Sequence, residues 1–584
     1  MQSDIEAAIK YINQVLRLDP QNEIANENLL YINEKFNTKD VPLSSLINST
    51  VDKNNKQNTN AFLKNSIEDN SNQPMVSIII PVFNKVDLTE KCIKSIVENT
   101  SHNYSYEIII VNNGSIDSTV EIVSEFSVKY PNIHLINLEK NLGFAKANNI
   151  ASKRAKGKYL LHLNNDTEAK PNWLESMIEL AENDSSIGAV GSKLLFPDNT
   201  VQHAGVLIYK KHKGNGTSDL IPVHNHYKKS PDDPLVNIPY EYQVLTAACL
   251  LIPKVLYKQL NGFDERFWNG YEDVDLCLRI RKAGFKLVYC PTSTLIHHES
   301  QSGPERFSKV PENVELLQKL WKKKTDFDFE LNAKGEIIAT NTNTPIPYIN
   351  EITSIVIISY NNLRYLRETV NSVISTVKVR YELIIIDNNS DELTQEYLRE
   401  LQSEVDNIKI IFNNQNMGFP YAVNTAIRAA EGSYITILNN DIVLTDGWLE
   451  RMIAIAKMSK KVGIVGPVSN SVSGAQLIKD SKYRRKNLAD YSLKIKSKYF
   501  KNVIEFPRVA FLCTLIKKEV IDKIGGLDER FSPGNFEDDD FCLRAQLAGY
   551  KTVIAKDVFI HHYGSKSFKA NGEAAYAERM KINQ

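Results

Sequence analysis

The stretch VSIIIPVFN, Val76 to Asn84, is apolar at consecutive positions rather than at alternate ones. A strand reads this way when both of its faces are buried, as in a parallel sheet covered by helices. A second such run, YEIIIV at Tyr106 to Val111, follows after a helical interval. Strand, helix and strand at this spacing predict an α/β sheet that binds a nucleotide at the carboxyl ends of its strands.

The same stretch returns. TSIVIISYN at Thr353 to Asn361 answers VSIIIPVFN, and YELIIIDNNS answers YEIIIVNNGS. NMGFPYAVN answers NLGFAKANN, and YITILNNDIVLTDGWLE answers YLLHLNNDTEAKPNWLE. GLDERFSPGNFEDDDFCLR answers GFDERFWNGYEDVDLCLR, and VFIHHYGSKS answers TLIHHESQS. Six blocks in one order make two copies of one domain, placed at 75–327 and 352–584. In the second copy Leu366, Val370, Val373 and Ile374 give the first helix an apolar stripe.

Around the copies, residues 37–74 are rich in Asn, Ser, Lys and Asp and read as a linker, and 328–351 as a second, shorter one. Residues 1–36 read as two short amphipathic helices, with Ile5, Ala8, Ile9, Ile12 and Leu16 at helical spacing. LRLDPQNEIANENLLYINEKF resembles a fragment of a tetratricopeptide repeat. Such a segment serves either as a partner or self-association contact or as a helical cap on the next domain.

The chain has 584 residues, 70 Lys plus Arg against 70 Asp plus Glu, and a formal charge of zero. That balance speaks against a nucleic-acid partner held by a broad basic field. Apolar runs long enough to span a bilayer are absent, and MQSDIEAAIKYINQ lacks the layout of a secretion signal. Six scattered cysteines without a CxxC pair read as reduced core residues. A cytoplasmic protein is expected, at most associated with the inner face of a membrane.

Four constellations carry chemistry. VNNGSIDS at Val111 to Ser118 and DNNSDE at Asp387 to Glu392 are polar turns at strand ends. LNND at Leu163 to Asp166 and at Leu438 to Asp441 places Asn164 with Asp166, and Asn439 with Asp441, on one side of a strand end. A carboxylate there suits Mg²⁺ or Mn²⁺, which take oxygen ligands and bridge phosphates. YEDVDLC and FEDDDFC open helices with three and four acids, more than the helix dipole accounts for, since neighbouring carboxylates oppose one another's ionisation. Finally, His297-His298 and His561-His562 each end a β-rich run, as ligand or acid–base candidates.

The order SIIIPVFN, VNNGS, NLGFAKANN, NNDT, GFDERF…YEDVDLCLR, HHES resembles the family-2 glycosyltransferases of the GT-A fold, and does so twice. The resemblance implies two tandem Rossmann-like nucleotide-diphospho-sugar transferase domains. It implies sugar transfer with inversion from a nucleotide-sugar donor, UDP- or dTDP-linked, aided by Mg²⁺ or Mn²⁺. It gives Asp166 and Asp441 as metal ligands, with His297 and His561 beside them; the neighbours His298 and His562 stay open. It gives Asp273 and Asp538 as catalytic bases, next to Glu272 and Glu537. It assigns donor binding to Pro81, Phe83, Asn84, Asn112, Asn113, Asn148 and Asn164, and to Ser359, Tyr360, Asn361, Asp387, Asn388, Asn424 and Asn439. Asp387 stands at the position that contacts the nucleobase, where the first copy has Asn112.

The expected function is a glycosyltransferase with two catalytic modules acting on a growing surface polysaccharide or protein-linked glycan. KLLFPDNTVQHAG at Lys193 to Gly205 has no echo in the second copy. Asp166 and Asp273 are 107 positions apart, Asp441 and Asp538 only 97. The two acceptor sides are therefore expected to differ. The alternatives are a single catalytic module with a binding copy, a non-catalytic scaffold, and a metal-dependent hydrolase or nucleotidyltransferase. Phosphate-cradling glycine loops that would favour the last are absent.

Overall fold

The run Val76–Val82 is a strand buried at every position but Pro81. Its pleat sends Ile78 and Ile80 to one face, into a core with Cys92, Ile93 and Ile96, and Ile79 to the other, among Ala145, Ala147 and Ala151. Burial on both faces is why the run lacks alternation. It pairs in parallel with Tyr106–Asn113 and Tyr159–Leu163, and Tyr106–Asn113 pairs in parallel with Ile133–Leu138. Helices Val86–Asn99, Thr119–Lys129 and Phe144–Arg154 make the crossovers.

The computed structural model describes residues 73–101, 103–299, 309–340, 345–479 and 482–564. The helical segment expected at 1–36, with its proposed contacts, lies outside the described residues, as does the linker at 37–74 apart from its last two residues. The described chain divides into two units, one ending at Tyr348 and the next beginning at Ile349. Among the described residues no helix is long and apolar enough to cross a membrane. All six cysteines are buried and unpaired.

In the first unit the sheet continues from Tyr159–Leu163 through the antiparallel strand Cys249–Pro253 to Ile187–Leu195 and Lys286–His297. The second unit repeats this order: Ile408–Phe412, Tyr381–Asp387, Thr353–Ser359, Tyr434–Leu438, Cys513–Lys517, Val462–Ser469, Lys551–His562. The first unit adds a four-stranded sheet in which Val206–His212 and Ser218–His224 form a hairpin.

Of the stretch 328–351 expected as a linker, residues 328–340 and 345–348 pack into the first unit. Phe329–Leu331 runs parallel to Val206–His212, and Ile346–Pro347 pairs with Tyr240–Tyr242. The Asp328 carboxylate accepts from Ile208 N at 2.6 Å and from Gln243 Nε2 at 3.1 Å. Strands of two or three residues bury few side chains, so their sequence carries little apolar signal.

A glycine in each unit locks the start of the central strand. Gly157 N donates to Ser77 Oγ, which donates to Glu107 Oε1 at 2.6 Å; Gly432, Ser354 and Glu382 repeat the arrangement. A Cβ on Gly157 would fall 2.4 Å from Ser77 N, and one on Gly432 2.5 Å from Ser354 N. Gly157→Ala is expected to destabilise the first unit by about 1–3 kcal/mol, the range for overpacking. Urea denaturation would show it as a lower midpoint for the first unit's transition.

Candidate active site

In the first unit the strand Tyr159–Leu163 ends at Asn164, and a short strand, Thr167–Ala169, lies antiparallel to the end of Lys286–His297, with Thr167 opposite His297. This brings His297 Nε2 to 3.1 Å from Asp166 Oδ1 and 3.2 Å from Asn164 Nδ2. His297 Nδ1 lies 2.5 Å from Gln202 Oε1. Gln202 Nε2 donates to Glu299 Oε2 at 3.2 Å, which fixes the amide with its oxygen toward the ring. Nδ1 therefore carries the proton, and Nε2 turns toward a carboxylate. His298 turns away, to Glu168 Oε1 at 2.6 Å.

Asp273 opens the helix Glu272–Lys282. Its Oδ2 accepts from Ala247 N at 3.1 Å and its Oδ1 from Val274 N at 2.8 Å. Asp275, the third acid, is spent on Arg279 at 2.7 Å. One cleft at the carboxyl ends of the strands is lined by Pro81, Phe83, Asn113, Asn164, Asp166, Glu272, Asp273 and His297. Asp166 and Asp273, 107 positions apart, share that space with His297.

Three expected residues serve the framework. Asn112 accepts from Ser115 N at 2.9 Å and donates to Asn137 Oδ1 at 3.2 Å. Asn84 accepts from Ile116 N at 2.9 Å. Asn148 is fully buried, with Oδ1 2.8 Å from His162 Nδ1 and Nδ2 donating to Phe144 O. It lies one residue before the counterpart of Asn424, which is Asn149. Asn149 and Asn424 clamp the backbone of Phe263 and of Leu527. These are contacts within the fold.

In the second unit His562, not His561, faces the aspartate. Its Nε2 is 3.2 Å from Asp441 Oδ1, and its Nδ1 is 2.6 Å from Ser471 O. His561 Nδ1 meets the Tyr483 hydroxyl at 2.5 Å, and its ring lies against Tyr483 and Tyr563. The cause is one residue of register. Thr167 lies opposite His297, but Ile442, the residue matching Thr167, lies opposite His562. Likewise His298 N donates to Asp166 O, and Tyr563 N to Asp441 O. The HH doublets align as text, yet the second copy has one residue fewer ahead of its doublet. In a pleated strand that offset sends every later side chain to the opposite face.

The two histidines titrate in opposite directions. Burial pulls His562 down, but Asp441 and the Ser471 carbonyl outweigh it and hold the imidazole above its ordinary pKa. Burial, then Arg485 and His562, push His561 down to about 4.

Asp538 opens the helix Glu537–Leu547. Its Oδ1 accepts from Asp539 N at 3.0 Å, and its Oδ2 lies 3.2 Å from the Arg508 guanidinium. Asp540 is held by Arg544 at 2.8 Å. Burial and the neighbouring Asp538 push Glu537 up to about 7. At the strand ends Asp387 Oδ2 accepts from Ser390 N at 3.1 Å, while Oδ1 is buried without a hydrogen-bond partner. Asn388 binds Asn416 and Met417 of the next loop, as Asn113 binds Asn141 and Leu142. Ser359 O accepts from Asn388 N, Asn361 Oδ1 accepts from Asp391 N, and Tyr360 is half-buried between them. Asn439 N donates to Leu512 O, as Asn164 N does to Ala248 O.

Gln202, His224 and Tyr227 line the first cleft and were not identifiable as site residues from sequence. The missing echo of Lys193 to Gly205 was the signal for Gln202 alone. His224 Nδ1 lies 2.9 Å from His203 Nδ1, and burial holds His224 below its ordinary pKa.

The sequence matches the profile of Glycosyl transferase family 2 twice, at residues 77–229 and 354–525, together more than half of the chain. Residues 233–300 match the N-terminal domain of galactosyltransferase. The chain is 30% identical over 261 residues to the uncharacterized protein y4gI of Sinorhizobium fredii, covering 43% of this chain and 28% of that protein. It is 32% identical over 247 residues to the O-antigen biosynthesis protein RfbC of Myxococcus xanthus, covering 41% and 18%. It is 24% identical over 389 residues to a chondroitin synthase of Escherichia coli, covering 63% and 54%. The chain thus spans about half or less of the length of these relatives.

Proposed function

The chain belongs to glycosyl transferase family 2, and from that premise we propose that it transfers sugars from UDP- or dTDP-linked donors to a growing glycan, with one catalytic module in each unit. The observation that carries the reading is the single cleft shared by Asp166, His297 and Asp273. The acceptor we propose is a surface polysaccharide or a protein-linked glycan. The names of two relatives, an O-antigen biosynthesis protein and a chondroitin synthase, support a saccharide polymer.

The residues fit a divalent cation. His562 Nδ1 can only donate to the Ser471 carbonyl, so Nε2 meets Asp441 either as a lone pair or as an added proton. A lone pair facing a carboxylate needs positive charge between them, and the first unit repeats the arrangement at His297 and Asp166. Among the described residues no cluster of three or more His, Cys, Asp or Glu side chains could hold a metal alone. Two protein donors suit Mg²⁺ or Mn²⁺, whose remaining positions go to water and substrate phosphates. Bound there, the ion would neutralise charge on the departing diphosphate.

The chain's own residues do the rest. The backbone amides of Ala247 and Val274 hold Asp273 in one orientation. Asp273 takes the proton of the acceptor hydroxyl as that oxygen bonds to the anomeric carbon. The bond from that carbon to the diphosphate oxygen breaks, and the nucleoside diphosphate leaves with the electron pair. Attack from the face opposite the leaving group inverts the centre. The unpartnered Oδ1 of Asp387 suits the imide N–H of a uracil or thymine base. In the first unit the satisfied Asn112 leaves base recognition to other groups lining the cleft.

A panel of nucleotide sugars, offered with mixed glycan acceptors, tests the reading. Nucleoside diphosphate release is expected with one or two of the UDP or dTDP sugars, and chelation should abolish it. No release with any donor in the presence of Mn²⁺ overturns the proposal.

A further inference from the structure

Arg508 lies across the acid read as the base of the second module. Its NH2 group is 3.2 Å from Asp538 Oδ2, and its Nε is 3.0 Å from Asp539 Oδ1. Its NH1 group donates to Ser473 Oγ at 3.0 Å. The first unit is built differently at the matching places. Cys249 pairs with Leu163, and Cys513 with Leu438. Five residues ahead of each cysteine stand Val244 and Arg508. In the acid-rich helices Val274 answers Asp539. Two buried valines in one unit are thus an arginine and an aspartate in the other.

The surroundings differ in the same sense. Val206 N donates to Val244 O, so the hairpin that begins there closes over this spot in the first unit. In the second unit the Arg508 side chain is 35% exposed. A guanidinium stays charged at every working pH and favours the ionised form of a carboxylate beside it. Asp538 Oδ1 accepts from Asp539 N and Oδ2 from Arg508, so Oδ2 opens to a substrate hydroxyl only when the guanidinium is drawn off. Because Asp538 meets the acceptor hydroxyl, whatever touches it adjoins the acceptor. The guanidinium fork matches a carboxylate or a phosphate with two parallel hydrogen bonds.

We propose that Arg508 is a specificity-determining residue: the second module takes acceptors whose terminal sugar carries an anionic group, and that group draws Arg508 away from Asp538. The proposal rests on the reading of Asp538 as the base. Asp539 then holds the displaced guanidinium near the site, which gives the acid that replaces Val274 a use.

The test uses the full chain carrying Asp273→Asn, so that transfer reports on the second module. Three matched oligosaccharides end in a neutral hexose, a uronic acid or a hexose 6-phosphate. The kcat/KM for at least one charged acceptor is expected to exceed that for the neutral one about tenfold or more. The two charged arms separate carboxylate from phosphate. Adding Arg508→Gln should erase the preference, and Arg508→Lys should restore part of it. A merely structural arginine would lower all three rates alike, and that result, or equal rates with Arg508 in place, overturns the proposal. If the Asp273→Asn chain transfers to none of them, saturation-transfer NMR with the same acceptors decides: an Arg508-dependent preference for charged ends supports the proposal, and equal binding overturns it. Transfer that survives Asp273→Asn with Asp538→Asn would instead refute the base assignment.

Discussion

Asp273→Asn and Asp538→Asn, made separately, are each expected to slow one transfer step about 10²- to 10⁴-fold, the usual contribution of a positioned general base. Asparagine keeps the shape of the side chain. Its oxygen can still accept one of the two backbone amides that hold Asp273, so the helix start at Glu272 survives. What it cannot do is take a proton. The two variants should stop synthesis at different products, because the acceptor sides are built from different parts. In the first unit the hairpin Val206–His212 and Ser218–His224 brings His224 to the cleft, with Tyr227 just beyond it. In the second unit Arg508 stands over the acid. Mass spectrometry of the products measures the outcome. Two distinct arrested products fit two working modules, one silent variant leaves a single working module, and two silent variants would remove both acids from the mechanism.

Much of this architecture could be read from the chain because it rests on burial. Strands such as Val76–Val82 and Thr353–Ser359 are covered on both faces, so their sequences announce themselves. Asp166 and Asp273, which line one cleft, stood out because NND and ED recur in both copies, the second with more carboxylates than a helix start accounts for. What escaped depends on geometry finer than composition. Gln202 acts through a contact spanning 95 positions, and the missing echo marked its segment without singling it out. Asn148 and Asn149 are adjacent, and only the helix phase decides which one reaches the Phe263 turn. Arg508 sits five residues ahead of a strand, in a stretch where the two copies no longer align. Phe329–Leu331 and Ile346–Pro347 are too short for a pattern of their own, so their role shows only in their partners.

The histidine doublets allow a sharper separation, since two adjacent residues of one type have opposite fates. His562→Ala is expected to remove one of two Mn²⁺ sites in a calorimetric titration, or to weaken it at least about 10- to 100-fold. His561→Ala is expected to leave both sites, because His561 is occupied with Tyr483 and packed between tyrosine rings. It should cost stability instead, through those lost contacts. The pH dependence carries the same mark. The ion needs Nε2 of His562 without a proton, and Asp441 holds that proton more tightly than usual. Cation affinity at the second site therefore falls as pH is lowered through the raised pKa. The ion-free protein shows the opposite trend. A folded-state pKa above the unfolded value contributes its full stability below about pH 6.5, the unperturbed histidine value. That contribution is lost as pH rises through the folded-state pKa. Loss of a Mn²⁺ site in His561→Ala, with both sites intact in His562→Ala, would show that the strand register does not choose the ligand.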